Sequence, residues 1–354
     1  MSHLDENKPQ TKRLEICPGG DMEIVLETPE ETTYCYIVSS LPLCKRSSVF
    51  RAMPGPNSAF SEVIALRRNA KEHASKSSGP YQIRVDNHDP IALMVVLSVI
   101  HARTDKFPSE IPFDALMNVA IVCDYYDCAT SLHVWVKKWM TKWEPFIKTP
   151  NYENWLYIAK VFQRDDILKT LSAHLIERSV VENGEFKVIV SSSPRVTNSL
   201  NGHISQEPLL KRRLALCRVL HSDAQSIFTL YEDSTKTQCI HSERNKNCDY
   251  YVFGRLYFGF KAAGFLHNPP LYHQYSPNEL MDAVTALLES ISNCLKTTVF
   301  LQMPRGAGSH SHANCANFKD ALITTMKSRF KDIGLTIDSP NGEPNEKSWE
   351  DLLC

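Results

Sequence analysis

From Phe113 to Trp143 the apolar residues keep helical spacing with one interruption, and this pattern constrains the chain more than any other stretch. Phe113, Leu116, Met117, Ala120 and Ile121 recur at steps of three and four, as on one face of an amphipathic helix. After the corner "YYDC", a second stripe runs through Leu132, Trp135, Val136, Trp139, Met140 and Trp143, leaving Lys137, Lys138 and Lys142 for water. Further stripes follow at Trp155, Ile158, Ala159 and Phe162, and at Leu168, Leu171 and Leu175. A set of stacked helices is expected here.

The stretch "VCDYYDCATSLHVW" (122–135) spaces Cys123, Cys128 and His133 at five-residue intervals. On a helix, a step of five turns the side chain by about 140°, so the three do not share one face of a continuous helix. Zinc requires about four ligands converging at roughly 2.0–2.3 Å, and nothing nearby completes such a set. The expectation is two buried thiols and a partly exposed histidine. Without a CxxC pair, no redox role is expected either.

Upstream of the helices the signals belong to strands. "GGDMEIVLE" and "TTYCYIVSS", joined by an acidic turn, predict a β-hairpin. "SSVFRAM" predicts a short helix that ends at Pro54. "EVIAL" and "YQIRV" are strand candidates on either side of a polar loop, 69–80. Asp89 is a suitable N-cap and Pro90 a suitable first helical residue, so the apolar run 91–100 is expected as a helix buried all round.

The fold class expected is therefore α+β, a small N-terminal sheet with stacked helices followed by a mainly helical C-terminal domain. The divisions expected are a disordered polar lead-in (1–15), a first domain (16–145), a helical extension (146–180), a Ser/Asn/Gly-rich linker containing "FKVIV" (181–205), a helical domain (206–335) and a polar tail (336–354). In the second half, Leu210, Leu214, Cys217, His221, Phe228 and Tyr231 are read as one stripe of a long helix, and "SPNE" (276–279) as a capping box. "KRR" (211–213) is read as a solvated face. A formal net charge of -1 gives no reason to expect direct nucleic-acid or anionic-membrane binding. The polar N-terminus and the dispersed cysteines predict an intracellular protein, cytoplasmic or nuclear, with reduced thiols.

"ALMNVAIVCDYYDCATSLHVWVKKWM" resembles the closing helix pair of a BTB/POZ domain, with its alanine-rich helix, "D-Y/K-Y-x-C/V" corner and following helix. Other motifs follow in the family's order: "GGDMEIVLE" with Asp21 in its opening strand, "SSVFRAM" with Ser48, Val49, Phe50 and Met53, "FSE" (60–62), and "DPIALMVVLSVIHART". The resemblance covers about residues 16–145. "CDYYVFGRLYFGFKAAGF" is similar to a C-terminal region of fungal proteins that carry this domain. What the resemblance implies is a non-enzymatic protein–protein interaction module, a scaffold or adaptor, with a cullin or a second copy of itself as partner. It points to Met53, Phe107, Glu110 and Phe113 as partner-binding residues. Cullin adaptors of the family place a hydrophobic residue two positions before a glutamate, whereas Phe107 stands three before Glu110. A transcription-associated scaffold is an alternative within the same class.

A separate candidate lies in two polar loops. "CIHSERNKNC" carries Cys239, His241 and Cys248, and "HSHANC" carries His310, His312 and Cys315. Thiol and imidazole from two loops can close a four-ligand structural zinc site, for which Cys239, Cys248, His312 and Cys315 are the ligand set. A zinc-dependent enzyme would also need an open position and a base, and Glu243 is the one carboxylate within the first loop. No GxSxG, HExxH, kinase or phosphate-loop signature is present.

Overall fold

The computed structural model describes residues 10–53, 80–103, 105, 108–192, 195–232, 235–240, 246–263, 265–266, 274–297, 315 and 318–337. The chain divides into two compact units, Met1–Arg164 and Asp165–Cys354. The break falls inside the segment expected as a helical extension, because the helix at Trp155 packs back on the first unit.

The first unit opens with four strands, β1 (Gln10–Glu15), β2 (Met22–Glu27), β3 (Thr32–Val38) and β4 (Tyr81–Val85), in the order β1-β3-β2-β4. β2 and β3 form the expected antiparallel hairpin, while β1 joins β3 and β4 joins β2 in parallel. Central β2 is buried along all but its last residue. Its one carboxylate among buried neighbours, Glu23, accepts from Gln82 Nε2 at 2.6 Å. β1 corrects the expectation of a disordered lead-in for residues 10–15. Its polar side chains face solvent while its backbone completes the open edge of β3, and the cationic side chains of Lys12 and Arg13 guard the new edge.

The turn into β2 explains the "GGD" triplet. Gly19 has φ +70, and a Cβ on Gly20 would lie 2.3 Å from the Val38 carbonyl oxygen, so only glycine fits at that approach. Asp21 then accepts from the Ser40 amide at 2.7 Å and the Ser40 hydroxyl at 2.6 Å, tying the strand to the start of α1 (Ser40–Arg46).

Helix α2 (Ser48–Ala52) is capped by Ser47, whose oxygen accepts from the Phe50 amide at 3.0 Å. α3 (Pro90–Ile100) starts as expected, with Asp89 accepting from the Ala92 amide at 2.7 Å. It packs against β3, α1, α4 (Phe113–Tyr125) and α5 (Ala129–Thr141), which accounts for its apolar surface. At its end His101 donates from Nδ1 to the Leu97 carbonyl (2.8 Å) and accepts at Nε2 from the Ser39 amide (3.0 Å). Arg103 reaches the Ile16 carbonyl at 2.9 Å. α6 (Trp155–Val161) closes the unit against α4. The strand candidate "EVIAL" and the "FSE" motif lie outside the described residues.

The second unit is not purely helical. After α7 (Asp165–Glu177), strands β5 (Ser179–Glu182), β6 (Glu185–Ser192) and β7 (Arg195–Ser199) form an antiparallel sheet over most of the stretch expected as a linker. Val180 of β5 and Phe186, Val188 and Ile189 of β6 are its buried apolar contribution. α8 (Glu207–Glu232) is the central helix and packs on α7, α9 (Lys246–Ala262), α10 (Pro277–Thr297) and α11 (Phe318–Ser328). Its buried face runs through Leu209, Arg213, Leu216, Cys217, Leu220, Ala224 and Ile227, so Leu214 turns outward. "KRR" is likewise corrected: Arg212 and Arg213 are buried, and Arg213 donates to the Ser179 and Tyr275 carbonyls at 3.1 and 2.6 Å. The capping box forms as expected, Ser276 amide to Glu279 at 2.8 Å and Glu279 amide to Ser276 at 3.2 Å.

Candidate metal centre and partner surface

Three thiols meet in the interior of the second unit. Cys239 sits in the segment between α8 and α9, Cys248 in the first turn of α9, and Cys315 just before α11. All three are buried, their sulfurs lie within 4.8 Å of one another, and those of Cys239 and Cys315 are 3.7 Å apart. Among the described residues this is the one group of three or more Cys, His, Asp or Glu side chains placed to hold a metal ion.

Asp249, next to Cys248 on α9, fixes this geometry. Its carboxylate accepts from the amides of Gln238, at 3.0 Å, and of Cys239, so the segment carrying Cys239 is drawn onto the start of the helix. Gln238 also donates from Nε2 to the Leu230 carbonyl at 3.0 Å, anchoring that segment to the end of α8. The Ile240 amide donates to the Cys315 sulfur. Tyr231 borders the cluster and meets Phe318 edge to face at 5.9 Å.

Burial raises the Cys248 thiol well above its ordinary range, and its two sulfur neighbours raise it further. Burial also raises Cys315, against the Ile240 amide, which favours the thiolate. Burial raises Asp249 too, opposed by the amides it accepts. A bound cation would reverse the balance at the sulfurs by stabilising their deprotonated form. The structure thus brings together Cys239, Cys248 and Cys315 of the four ligands expected. His312, like His241, Glu243 and His310, lies outside the described residues. Asp249 was missed, although its place directly after Cys248 was a usable signal. Cys217 and His221 do not add a second centre, since burial pushes Cys217 up to about 11 and His221 bonds the Phe265 carbonyl at 2.8 Å.

In the first unit Cys123 and Cys128 are fully buried, Cys123 with its thiol raised by burial first and by its bond to Cys128 second. His133 is exposed on α5 and does not join them. It lines a groove of about 440 Å³ with Val136, Met140, Phe162 and the ion-paired Arg164 and Glu144 (2.8 Å).

The partner residues expected from the sequence separate sharply. Phe113 is 7% exposed and packs on Tyr152, Trp155 and Trp143 at 4.7, 5.5 and 6.1 Å, so it is a core residue and not an anchor. Glu110 is exposed and paired with Lys142 at 2.7 Å, which holds its carboxyl below the usual range. Met53, at the end of α2, is 39% exposed. Phe107 lies outside the described residues. Tyr125, which sequence reasoning passed over, is 58% exposed at the corner between α4 and α5.

Comparison of the chain with protein-family models, curated proteins and solved structures finds no match. Among the described residues no helix is long and apolar enough to cross a membrane.

Proposed function

We propose that this chain is a non-enzymatic protein-interaction scaffold whose N-terminal unit is a BTB/POZ-like module. The observation that carries the reading is the convergence of two distant motifs. Ser47 of "SSVFRAM" donates to the Tyr126 carbonyl, Ser48 donates to Asp127, and Phe50 stacks on Tyr126 with centroids 4.5 Å apart. The described motifs of the family resemblance lie, in chain order, on a strand, a short helix, a buried helix and a helix corner of the first unit.

The chemistry of the first unit supports binding over catalysis. Asp21 and His101 spend their polar atoms on backbone and hydroxyl partners that join the sheet to the helices, and Arg103 divides its guanidinium between the Ile16 carbonyl and the carboxylate of Asp105 (3.0 Å). Met53 and Tyr125 flank the junction of α2 with the corner and remain accessible. Affinity at such a surface comes from a few apolar and aromatic anchors.

The partners that fit this reading are a second copy of the chain and the N-terminal region of a cullin. The test is a dilution series of the full chain and a calorimetric titration with a purified cullin N-terminal fragment. Saturable binding in one of the two, weakened at least about tenfold by Met53→Asp with Tyr125→Asp, is the expected result. Absence of both interactions up to about 100 µM overturns the reading.

A further inference from the structure

We propose that Cys239, Cys248 and Cys315 bind a single zinc ion as thiolates, in a structural site that staples Cys239, in the segment after α8, and Cys315, three residues before α11, to the N-terminal end of α9. Sulfur positions carry the argument. Four donors about 2.3 Å from a zinc ion in a tetrahedron stand about 3.8 Å from one another. The Cys239 and Cys315 sulfurs are 3.7 Å apart, and Cys248 keeps within 4.8 Å of both. A disulfide needs about 2.05 Å, so these atoms stand at the spacing of co-ligands and not of a bonded pair. A triangle of this size surrounds one ion and has no room for a cluster of several metals.

Chemistry narrows the ion. Three sulfurs without a carboxylate among them make a soft donor set, which disfavours magnesium and calcium and suits zinc. The surrounding hydrogen bonds resemble those around coordinated thiolates. The Ile240 amide points at the Cys315 sulfur, and Asp249 orients the segment that carries Cys239 through two amides. Such outer bonds fix ligand direction and favour the charged sulfur. Binding forms three Zn–S bonds and releases three protons, one from each thiol, to solvent. The remaining position takes one nitrogen or oxygen donor.

The topology gives the ion something to hold. Cys239 and Cys315 are 76 residues apart in sequence, and both lie off the helices, whereas Cys248 sits on α9. Ordinary packing of three small buried thiols is the competing account, and it predicts no metal.

The test uses the full chain, expressed with zinc in the medium and purified without chelator. Metal analysis is expected to give about one zinc per chain, and X-ray absorption at the zinc edge three sulfurs at about 2.3 Å with one lighter donor. Cys239→Ser, Cys248→Ser and Cys315→Ser should each lower zinc content at least about tenfold, and Cys35→Ser should leave it unchanged. Since the serine variants can fail to fold, the wild-type absorption spectrum decides independently of them. Chelation of the wild type should lower the unfolding temperature of the second unit and make these three thiols the ones newly alkylated. Less than about a tenth of a metal ion per chain, a sulfur shell other than three, copper or iron in place of zinc, or a disulfide between Cys239 and Cys315 overturns the proposal.

Discussion

The hydroxyl of Ser47 donates to the main-chain carbonyl of Tyr126 at 2.5 Å, across 79 residues of sequence, while its oxygen also accepts from the Phe50 amide. One side chain therefore caps α2 and anchors it to the corner between α4 and α5. Ser47→Ala removes the cap and leaves a buried carbonyl unpaired, a loss of about 1–3 kcal/mol. Phe50→Ala removes the ring stacked on Tyr126 and should cost about 3–5 kcal/mol. Because the chain has two units, a single unfolding midpoint is not well defined. Hydrogen exchange at amides 122–128 is the suitable readout, and both variants should accelerate it while leaving the amides of α8 unchanged.

Acid should loosen the same region through His88. Its ring is buried against Tyr125 and Tyr126, at 4.9 and 5.3 Å, and neither ring nitrogen has a hydrogen-bond partner. Burial lowers its pKa below the ordinary value of 6.5, with Asp86 opposing. A histidine held neutral in the folded state binds fewer protons than the unfolded chain does. Its contribution to stability is thus fully present above about pH 6.5 and declines as pH falls from there through the folded pKa. Between about pH 7 and 5 the wild type should lose stability relative to His88→Phe as the pH drops, whichever of the two is the more stable at pH 7. A constant difference contradicts this role.

Phe113 and Met53, both expected at a partner surface, should now behave oppositely. Phe113→Ala opens a cavity among Tyr152, Trp155 and Trp143 and should destabilise the first unit by about 3–5 kcal/mol. Met53→Asp changes an accessible side chain and should alter stability by no more than about 0.5 kcal/mol. Denaturant titration followed by tryptophan fluorescence separates the two.

Arg213 provides a test in the second unit. Its guanidinium ties α8 to the carbonyls of Ser179 and Tyr275. Arg213→Met keeps most of the apolar stem and removes the donors, which should cost about 1–3 kcal/mol. The loss should appear as faster exchange at the β5 and β6 amides.

Much of the first unit was legible because its signals are local. Asp89 with Pro90, the alternation around the hairpin and the tryptophan stripe each specify an element from neighbouring residues alone. β1 was not, since a strand whose side chains are exposed except for half-buried Leu14 carries no apolar alternation and exists because β3 offers an open edge. β7 was missed for a similar reason: none of its residues is buried. Arg212 and Arg213 looked like a solvated run because the carbonyls that receive Arg213 come from segments far along the chain. Cys239, Cys248 and Cys315 were visible as ligand types, but their spacing matches no motif, and only the packing of α9 against its flanking segments brings the sulfurs together.

The most direct measurement of the central claim is the hydrogen-exchange footprint of the full chain in complex with the partner that binds it, a cullin N-terminal fragment or a second copy. The interaction-scaffold account predicts slowed exchange in α2, Ser48–Ala52, and at the corner 124–128, with Met53→Asp and Tyr125→Asp abolishing it. Slowed exchange confined to the groove between α5 and α6, or to the second unit alone, would contradict it.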